Sequence, residues 1–111
     1  IDSMLPKKRR LNKKEVDLVF KGGKSLISPH LTFKFLLSSI SIPSRVSFIA
    51  PKNIAKLAVK RNLLRRRGYR ALQKYINQFP AGLVGVLVFR KFQEDTSIIE
   101  NEIEKILHGV N

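Results

Sequence analysis

The sequence predicts an α+β protein in which three helices pack on a four-stranded sheet, in the order α-β-β-β-α-β-α. Apolar residues at alternate positions predict strands over 31–37 and 45–50, and a near-continuous apolar run over 82–91 predicts a buried central strand. Apolar stripes with a helical period lie between and outside these segments. Because 43% of the 111 residues are apolar, one domain over 1–111 can bury a core of its own.

A short helix and an edge strand open the predicted fold. The helix is predicted over 12–20, where Asn12 can cap the first turn and Glu15 follows three residues later. The glycine pair at 22–23 ends this helix, and a short edge strand is predicted over 24–27.

The alternating segments 31–37 and 45–50 predict a hairpin, joined by a turn over 38–44 that contains Pro43. Alternation separates a core side from an outward side on each strand. The core side consists of Leu31, Phe33, Phe35 and Leu37 on the first strand, and of Val46, Phe48 and Ala50 on the second.

Two longer helices are predicted in the second half of the chain. The first runs over about 54–77, and Gly68 lies on its apolar stripe, where it would allow close packing. The second is acidic, begins at Asp95 or Thr96 and is ended by Gly109. Their apolar stripes consist of Leu57, Leu64, Gly68, Ala71, Leu72 and Tyr75, and of Ile98, Ile99, Ile103, Ile106 and Leu107.

The charge of the chain is unevenly distributed. Lys and Arg number 22 against 8 Asp and Glu, which gives a net charge of +14, and residues 18–93 contain no acid. Residues 94–111 are acidic, with five acids and one base. Because such a surplus of positive charge repels itself, we expect a polyanionic partner: nucleic acid, an anionic membrane surface or an acidic protein.

The densest basic segment covers the longer predicted helix and the loop before it. Residues 52–74 contain nine bases and no acid, so these bases lack the acidic partners at i+4 that a solvated helix face usually carries. Successive helical turns are about 5.4 Å apart, close to the spacing of phosphates along a nucleic-acid strand. One Arg guanidinium can donate two hydrogen bonds to the oxygens of a phosphate. We therefore predict a nucleic-acid site that contains Lys52, Lys56, Lys60, Arg61, Arg65, Arg66, Arg67, Arg70 and Lys74.

A fainter pattern predicts a groove between the first helix and the sheet. Val16 and Phe20 lie one helical turn apart and can face the outward side of the two alternating strands. Such a groove would offer apolar platforms to bases and small polar groups to a nucleic-acid backbone. Alternatively, Val16 and Phe20 are plain core residues. The predicted lining consists of Val16, Phe20, Thr32, Lys34, Ser47 and Ile49.

Several classes of site are excluded by what the sequence lacks. Without Cys it has no disulfide framework and no thiolate metal site. We expect His30 and His108 to be exposed polar residues and not catalytic ones, because His30 follows Pro29 at a turn and His108 lies at a helix end. No apolar run approaches the ~20 residues of a transmembrane helix and no secretory signal is recognisable, so we expect an intracellular protein. Residues 1–3, before Met4, are expected to be a cloning remnant.

The basic helix carries a specific run of residues. Its sequence over 58–72 is A-V-K-R-N-L-L-R-R-R-G-Y-R-A-L, which resembles the Arg-Asn motif helix of the bacterial ribonuclease P protein subunit. The run R-V-S-F-I-A-P-K-N resembles the third strand and Lys-bearing loop of that family. The opening K-K-R-R-L-N-K-K-E-V-D-L-V-F-K-G-G and the later V-L-V-F-R-K resemble its first helix and last strand. The similarity covers about residues 5–92 in the family's order.

The resemblance implies RNA-binding roles for particular residues of the basic segment. Lys52 matches the base of the family's loop, whereas Leu63 and Tyr69 stand where the family commonly has Arg. The residues that match the motif itself are Arg61, Asn62, Arg65 and Arg66.

The resemblance also implies that the groove between the first helix and the sheet is a cleft that binds the 5′ leader of precursor tRNA. It adds Arg90 and Lys91, which match bases at the end of the family's last strand. Phe20 matches one of two cleft aromatics, but Val16 occupies the other place and Lys34 stands where an aromatic is often found. We therefore expect weaker stacking and a larger electrostatic share in this cleft.

Fold and function follow from the resemblance as expectations. It implies a left-handed βαβ crossover, shared with a ribosomal-protein domain. It also implies the small subunit of an endoribonuclease that removes 5′ leaders from precursor tRNA, in which the RNA subunit is the catalyst and binds most of the Mg²⁺. The protein would have no catalytic residue and no metal of its own, and one protein would bind one ribonuclease P RNA in the cytoplasm, away from membranes.

Two other functions are compatible with the same charge and predicted fold. The first is a non-catalytic structural module that binds rRNA, as ribosomal proteins do. The second is a basic membrane-surface or DNA-binding module, which would need an exposed apolar helix stripe or a helix-turn-helix spacing; neither is evident.

Overall fold

Four strands and three helices follow one another in a computed structural model that describes residues 7–38 and 42–110. They are α1 (Lys13–Gly22), β1 (Lys24–Ile27), β2 (Leu31–Leu37), β3 (Arg45–Ile49), α2 (Ala58–Gln73), β4 (Leu83–Phe89) and α3 (Thr96–Val110). Short 3₁₀ turns at Lys7–Arg9 and Ile76–Gln78 precede α1 and follow α2. The predicted α+β class and order of elements are confirmed.

The ends of α1 are set by local chemistry. Asn12 Oδ1 accepts from the Glu15 N–H at 2.9 Å, and Glu15 Oε1 accepts from the Asn12 N–H at 3.0 Å, which is the expected capping box. At the other end, a Cβ on Gly23 would lie 2.5 Å from Val19 O and 3.0 Å from Phe35 O. Only glycine therefore fits where the chain turns into β1.

The strands lie in the order β1-β2-β4-β3, so the predicted hairpin of β2 and β3 is wrong. β4 lies between them, antiparallel to β2 and parallel to β3. The apolar side chains of β4 favour the centre of the sheet, where both faces are covered. The parallel pair β3 and β4 is joined through α2, which confirms a βαβ connection; its left-handed sense stays a prediction. Of the predicted turn over 38–44, residues 39–41 lie outside the described residues, as do residues 1–3.

One face of the sheet packs against α2 and α3. A Cβ on Gly68 would lie 2.8 Å from the Phe48 ring, so this glycine allows α2 to approach β3 closely, as expected. The alternation of β2 and β3 assigned the buried faces correctly except at Leu37, which is 52% exposed. The large side chains buried at this face include Leu31, Phe33, Val46, Leu64, Leu72, Leu87, Phe89, Ile99 and Ile103.

The basic helix is shorter than predicted. Ile54 and Ala55 donate backbone hydrogen bonds to Pro51 O, so this segment forms a turn and α2 begins only at Ala58. Leu57 therefore precedes the helix and is 64% exposed, contrary to its predicted place on the buried stripe.

The acidic helix is capped by Asp95, whose Oδ1 accepts from the Ser97 N–H at 2.9 Å. It continues through Gly109 to Val110, so Gly109 does not end it as predicted.

The prediction of an exposed His30 is also wrong: His30 is half-buried and its Nδ1 lies 2.6 Å from Glu102 Oε2 of α3. The sequence pattern missed this pair because its members lie 72 positions apart.

Candidate nucleic-acid interface

The basic helix α2 and the loop before it present a row of exposed cations. Lys60, Arg66 and Arg70 are exposed on α2, and Lys52 and Lys56 are exposed in the loop. Within the described ranges, no carboxylate pairs with any of these five side chains. Their positive charge is therefore free to bind a polyanion.

Arg61 is half-buried and holds the loop against the start of α2. One of its guanidinium nitrogens donates to Ala55 O at 3.0 Å and to Lys56 O at 2.8 Å. Leu57, at the N-cap, has no side chain that can cap the helix. Arg61 thus supports the backbone that carries the loop cations.

The other motif residues form a local pair. Asn62 Oδ1 accepts a hydrogen bond from Arg65, and Arg65 Nε is buried without a partner among the described residues. Two further predicted cations are bound to the acidic C-terminal segment instead. Arg67 donates to Glu94 O at 2.8 Å, and Lys74 Nζ lies 3.2 Å from Glu100 Oε1.

The second face of the sheet is crossed by α1. Val19 of α1 and Val86 of β4 are both buried there, apart from the main core. In the strand register Val86 pairs with Lys34 on one side and with Ser47 on the other. The outward residues predicted from alternation therefore do share one face, with α1 lying over its centre.

A groove of about 620 Å³ lies beside the N-terminal half of α1, along β3. Val16 and Ile49 contribute apolar surface, as predicted. Ser47 also lines it but is nearly buried, and its Oγ accepts from the Leu11 N–H at 2.7 Å. Ser47 thus fixes the chain before α1.

A second groove of about 340 Å³ lies next to the first. Both are lined by Phe48 and Ile49, and the second reaches Arg61, Asn62 and Arg65 of α2. The cleft beside α1 and the motif of α2 therefore adjoin each other at Phe48 and Ile49 of β3.

Phe20 and Lys34 form a contact of their own. Phe20 is 40% exposed, so it is not a core residue, and Lys34 Nζ lies 5.7 Å from the centre of its ring. Thr32 and Ile49 pair with opposite sides of Val88, which places them in one row across the sheet.

The loop and strand-end bases meet at one edge of the sheet. Ile49 and Val88 are register partners near the carboxyl ends of two parallel strands. Lys52 follows the first of these strands, and Arg90 and Lys91 follow the second, with both of the latter exposed.

Three basic residues around the groove were missed by the sequence patterns. Arg10 and Lys13 line it near the start of α1, and so does Arg45 of β3. Arg45 binds Glu15 bidentately and donates to Arg10 O at 2.9 Å. The Arg45 hydrogen bond lowers the pKa of Glu15 despite the opposing effect of burial. The basic opening of the sequence signalled Arg10 and Lys13, but nothing local linked Arg45 to Glu15.

Features of a membrane or metal site are missing from the described part of the chain. Neither of the stretches 7–38 and 42–110 contains a helix long and apolar enough to cross a bilayer. In the same stretches, no three His, Asp or Glu side chains come together in a way that could hold a metal ion.

Comparisons with known proteins identify the family of the chain. A family model described as Ribonuclease P matches residues 5–111. The chain belongs to the ribonuclease P protein family. Its relative in Pseudanabaena sp., a ribonuclease P protein component, is 28% identical over an alignment of 115 residues that covers 96% of this chain and 99% of the relative. Membership makes the chain a subunit of ribonuclease P, with a part in tRNA processing and with ribonuclease P RNA as its partner.

Solved ribonuclease P proteins have the same fold. The protein from Thermotoga maritima superposes with a TM-score of 0.78 at 22% identity, over 92% of this chain and 97% of that one. The protein from Staphylococcus aureus superposes with a TM-score of 0.76 at 18% identity, over 93% of this chain and 98% of that one. The four-stranded mixed sheet with its three helices is therefore the fold of this family.

Proposed function

We propose that this ribonuclease P protein binds RNA at two adjoining surfaces. The surface of α2 and its loop holds the RNA subunit, and the groove beside α1 holds the 5′ leader of precursor tRNA. The observation that carries the proposal is that the two grooves adjoin along β3, where Phe48 and Ile49 line both. The assembly, one protein per RNA in the cytoplasm, removes the leader and leaves the mature 5′ end of tRNA.

The α2 surface is suited to phosphates because its exposed cations form no ion pair within the described residues and because Arg61 holds the preceding loop in place. The exposed side chains of Lys60, Arg66 and Arg70 have no acidic partner among the described residues. Arg61 holds the preceding loop through two backbone carbonyls. Binding to phosphate would release counterions from the RNA, which makes the affinity depend strongly on salt.

The groove beside α1 is suited to a single strand because it combines apolar and cationic surface. Val16 and Ile49 are half-buried, so they offer platforms to bases but no ring for stacking. Phe20, one helical turn after Val16 and outside the lining of the groove, supplies an exposed ring, and Arg10 and Lys13 supply positive charge for the backbone. Electrostatic contacts would thus carry a larger share of leader binding than stacking does.

We assign the chemistry to the RNA subunit. It would bind most of the Mg²⁺, which lowers the pKa of water and so supplies a nucleophile for phosphodiester hydrolysis. The described protein residues bring together no group of three His, Asp or Glu side chains for a metal. The part of the protein is to bind the leader and orient it relative to the RNA subunit.

Reconstitution tests the assignment. Purified protein, ribonuclease P RNA and precursor tRNA should together remove the leader at low Mg²⁺, with stimulation saturating at one protein per RNA. Protein without the RNA subunit should cleave nothing. A protein that binds the RNA but does not change leader removal would act as a structural RNA-binding module instead.

The leader contact is tested by Phe20→Ala. One base–aromatic stack is worth about 1–3 kcal/mol. We expect the low end, a loss of about fivefold in affinity for precursor tRNA, because Lys34 already covers the ring. Mature tRNA should bind almost as before.

The matched control for this test is Leu18→Ala. Leu18 lies on the same helix and is 62% exposed, but it borders a shallow surface formed by α1 alone. Its replacement should affect neither substrate. Equal losses for precursor and mature tRNA in Phe20→Ala, with the fold intact, would show that Phe20 does not contact the leader.

A further inference from the structure

A buried carboxylate of α3 binds the turn between β1 and β2, away from both grooves. Glu102 is 6% exposed, and its Oε1 accepts hydrogen bonds from the Ser28 hydroxyl and, at 2.9 Å, from the His30 N–H. Its Oε2 lies 2.6 Å from His30 Nδ1. Burial raises the pKa of Glu102, but the hydrogen bonds from Ser28 and His30 bring it below its usual value.

The arrangement is not that of a catalytic triad. A nucleophilic hydroxyl has to bond to the imidazole that takes its proton. Here the Ser28 hydroxyl and the His30 imidazole each bond to the carboxylate. The cluster instead fixes the turn, because Ser28 Oγ accepts from the Leu31 N–H at 3.2 Å and the Ser28 N–H donates to Leu31 O at 2.8 Å.

Ser28 and His30, which bond to Glu102, also bond to Arg90. Ser28 O accepts from an Arg90 guanidinium nitrogen at 2.7 Å, and His30 O accepts from the Arg90 N–H at 2.8 Å. Arg90 is otherwise exposed at the end of β4. Its remaining guanidinium donors have no partner among the described residues, so they can bind a ligand.

We infer that Glu102 is a positioning residue for RNA binding: through Ser28 and His30 it orients Arg90 toward a phosphate of the leader. The inference rests on the proposed function and on the leader contact that the family resemblance implies for Arg90 and Lys91 at the end of β4. The buried acid of α3 thereby acts on the cationic surface without touching RNA.

The direction in which RNA affinity changes when Glu102 is removed distinguishes a positioning role from a simple effect of its charge. An acid removed from a protein that binds RNA should strengthen binding, since less negative charge opposes the phosphates. Glu102→Ala should instead weaken it by about tenfold, the low end of the range for one hydrogen bond to a charged group. The matched control is Glu104→Ala, which removes an exposed acid from the same helix. Its affinity should be unchanged or slightly higher.

A double-mutant cycle with Arg90→Ala tests whether Glu102 acts through Arg90. Affinity for precursor tRNA is measured in the assembled enzyme over a range of salt, with circular dichroism to check the fold. Arg90→Ala should lower affinity by about the same factor and flatten the salt slope by about one unit. Glu102→Ala should flatten the slope equally, and adding it to Arg90→Ala should change neither quantity.

Additive losses in the double variant, or a Glu102→Ala variant that binds like Glu104→Ala, would overturn the inference. If Arg90→Ala itself binds like the parent protein, the leader contact at the end of β4 is wrong and the inference fails with it. If Glu102→Ala does not fold, Ser28→Ala replaces it, with Ser25→Ala of the exposed edge as control. The same loss and the same lack of additivity with Arg90→Ala are expected for Ser28→Ala, and additivity would again overturn the inference.

Discussion

Helices α2 and α3 pack against the same face of the sheet and against each other. Their charged side chains differ in whether they have partners within the protein. The cations of α2 at Arg66 and Arg70 are exposed and have no acidic partner within the described ranges. Two of the three acids of α3 bind groups of the protein: Glu102 is buried against the β1–β2 turn, and Glu100 pairs with Lys74.

This difference separates charge that holds the fold from charge that remains for a partner. A paired acid neutralises only its own partner: Lys74 is paired with Glu100, whereas Arg67 donates to the backbone carbonyl of Glu94 and keeps its charge. The rest of the basic row also keeps its charge, so the surplus of the chain is concentrated on one surface. Four predictions test whether the two helices divide their charges in this way.

The largest effect is expected from Glu102→Ala on stability. It leaves the Ser28 hydroxyl and the His30 N–H buried without their acceptor, so the free energy of unfolding should fall by about 3 kcal/mol at pH 7. Urea denaturation measures this. The folded-state pKa of Glu102 is lowered, so its contribution is present above the unfolded value of about 4.5 and is lost as the pH falls through the folded value.

The difference in the free energy of unfolding between Glu102→Ala and the parent protein should therefore become smaller below pH 4.5. Glu104→Ala, on the exposed side of α3, should stay within about 0.5 kcal/mol throughout. A constant difference between Glu102→Ala and the parent from pH 7 to pH 3 would show that the charge of Glu102 does not stabilise the fold.

The next effect concerns the free cations of α2. Replacing Arg66 and Arg70 together by Ala should weaken binding to ribonuclease P RNA by about tenfold or more and flatten the salt slope by about two units. Fluorescence titrations at several salt concentrations measure both. The free energy of unfolding should hardly change, because neither side chain has a partner in the described protein. An unchanged slope would mean that this side of α2 faces away from RNA.

Arg61 should behave differently from its exposed neighbours because it supports backbone. Arg61→Ala removes hydrogen bonds to Ala55 O and Lys56 O and should lower the free energy of unfolding by about 1–2 kcal/mol. Arg66→Ala is the matched control for chemical denaturation. Equal stability of the two variants would place Arg61 with the binding cations rather than with the structural ones.

The smallest effect is expected from Lys74→Ala. Its charge is already paired with Glu100, and the side chain is mostly exposed, so the pair contributes less than about 1 kcal/mol. The salt slope for RNA binding should change by less than about half a unit. A loss as large as that of Arg70→Ala would show that Lys74 leaves Glu100 to bind RNA.

Much of the local structure was predictable because its causes are local. The alternation of β2 and β3 indicates which side chains face the core, and the capping box of Asn12 and Glu15 needs only three residues of spacing. The exposure of Lys60, Arg66 and Arg70 follows from the helical period in the same way.

Parts of the site were predictable for the same reason. The many bases of the basic segment and its lack of acids indicate a polyanionic partner whatever the arrangement of the strands. The helical period also separates Arg61 and Arg65, on the flank of α2, from the fully exposed cations. It could not show that Arg61 would bond to backbone carbonyls, because that depends on how the preceding loop folds back.

The amino-acid sequence by itself determined which segments form helices and strands, which of their faces are buried, and that the positive charge is concentrated in the basic segment. The tertiary structure decided which elements meet: β4 between β2 and β3, Arg45 on Glu15 across 30 positions, and Glu102 under His30 across 72. The physical reason is that a period of two or 3.6 residues specifies the direction of a side chain relative to its own backbone. The neighbour in that direction is chosen by packing between distant segments, where apolar burial and the pairing of buried charge are satisfied together.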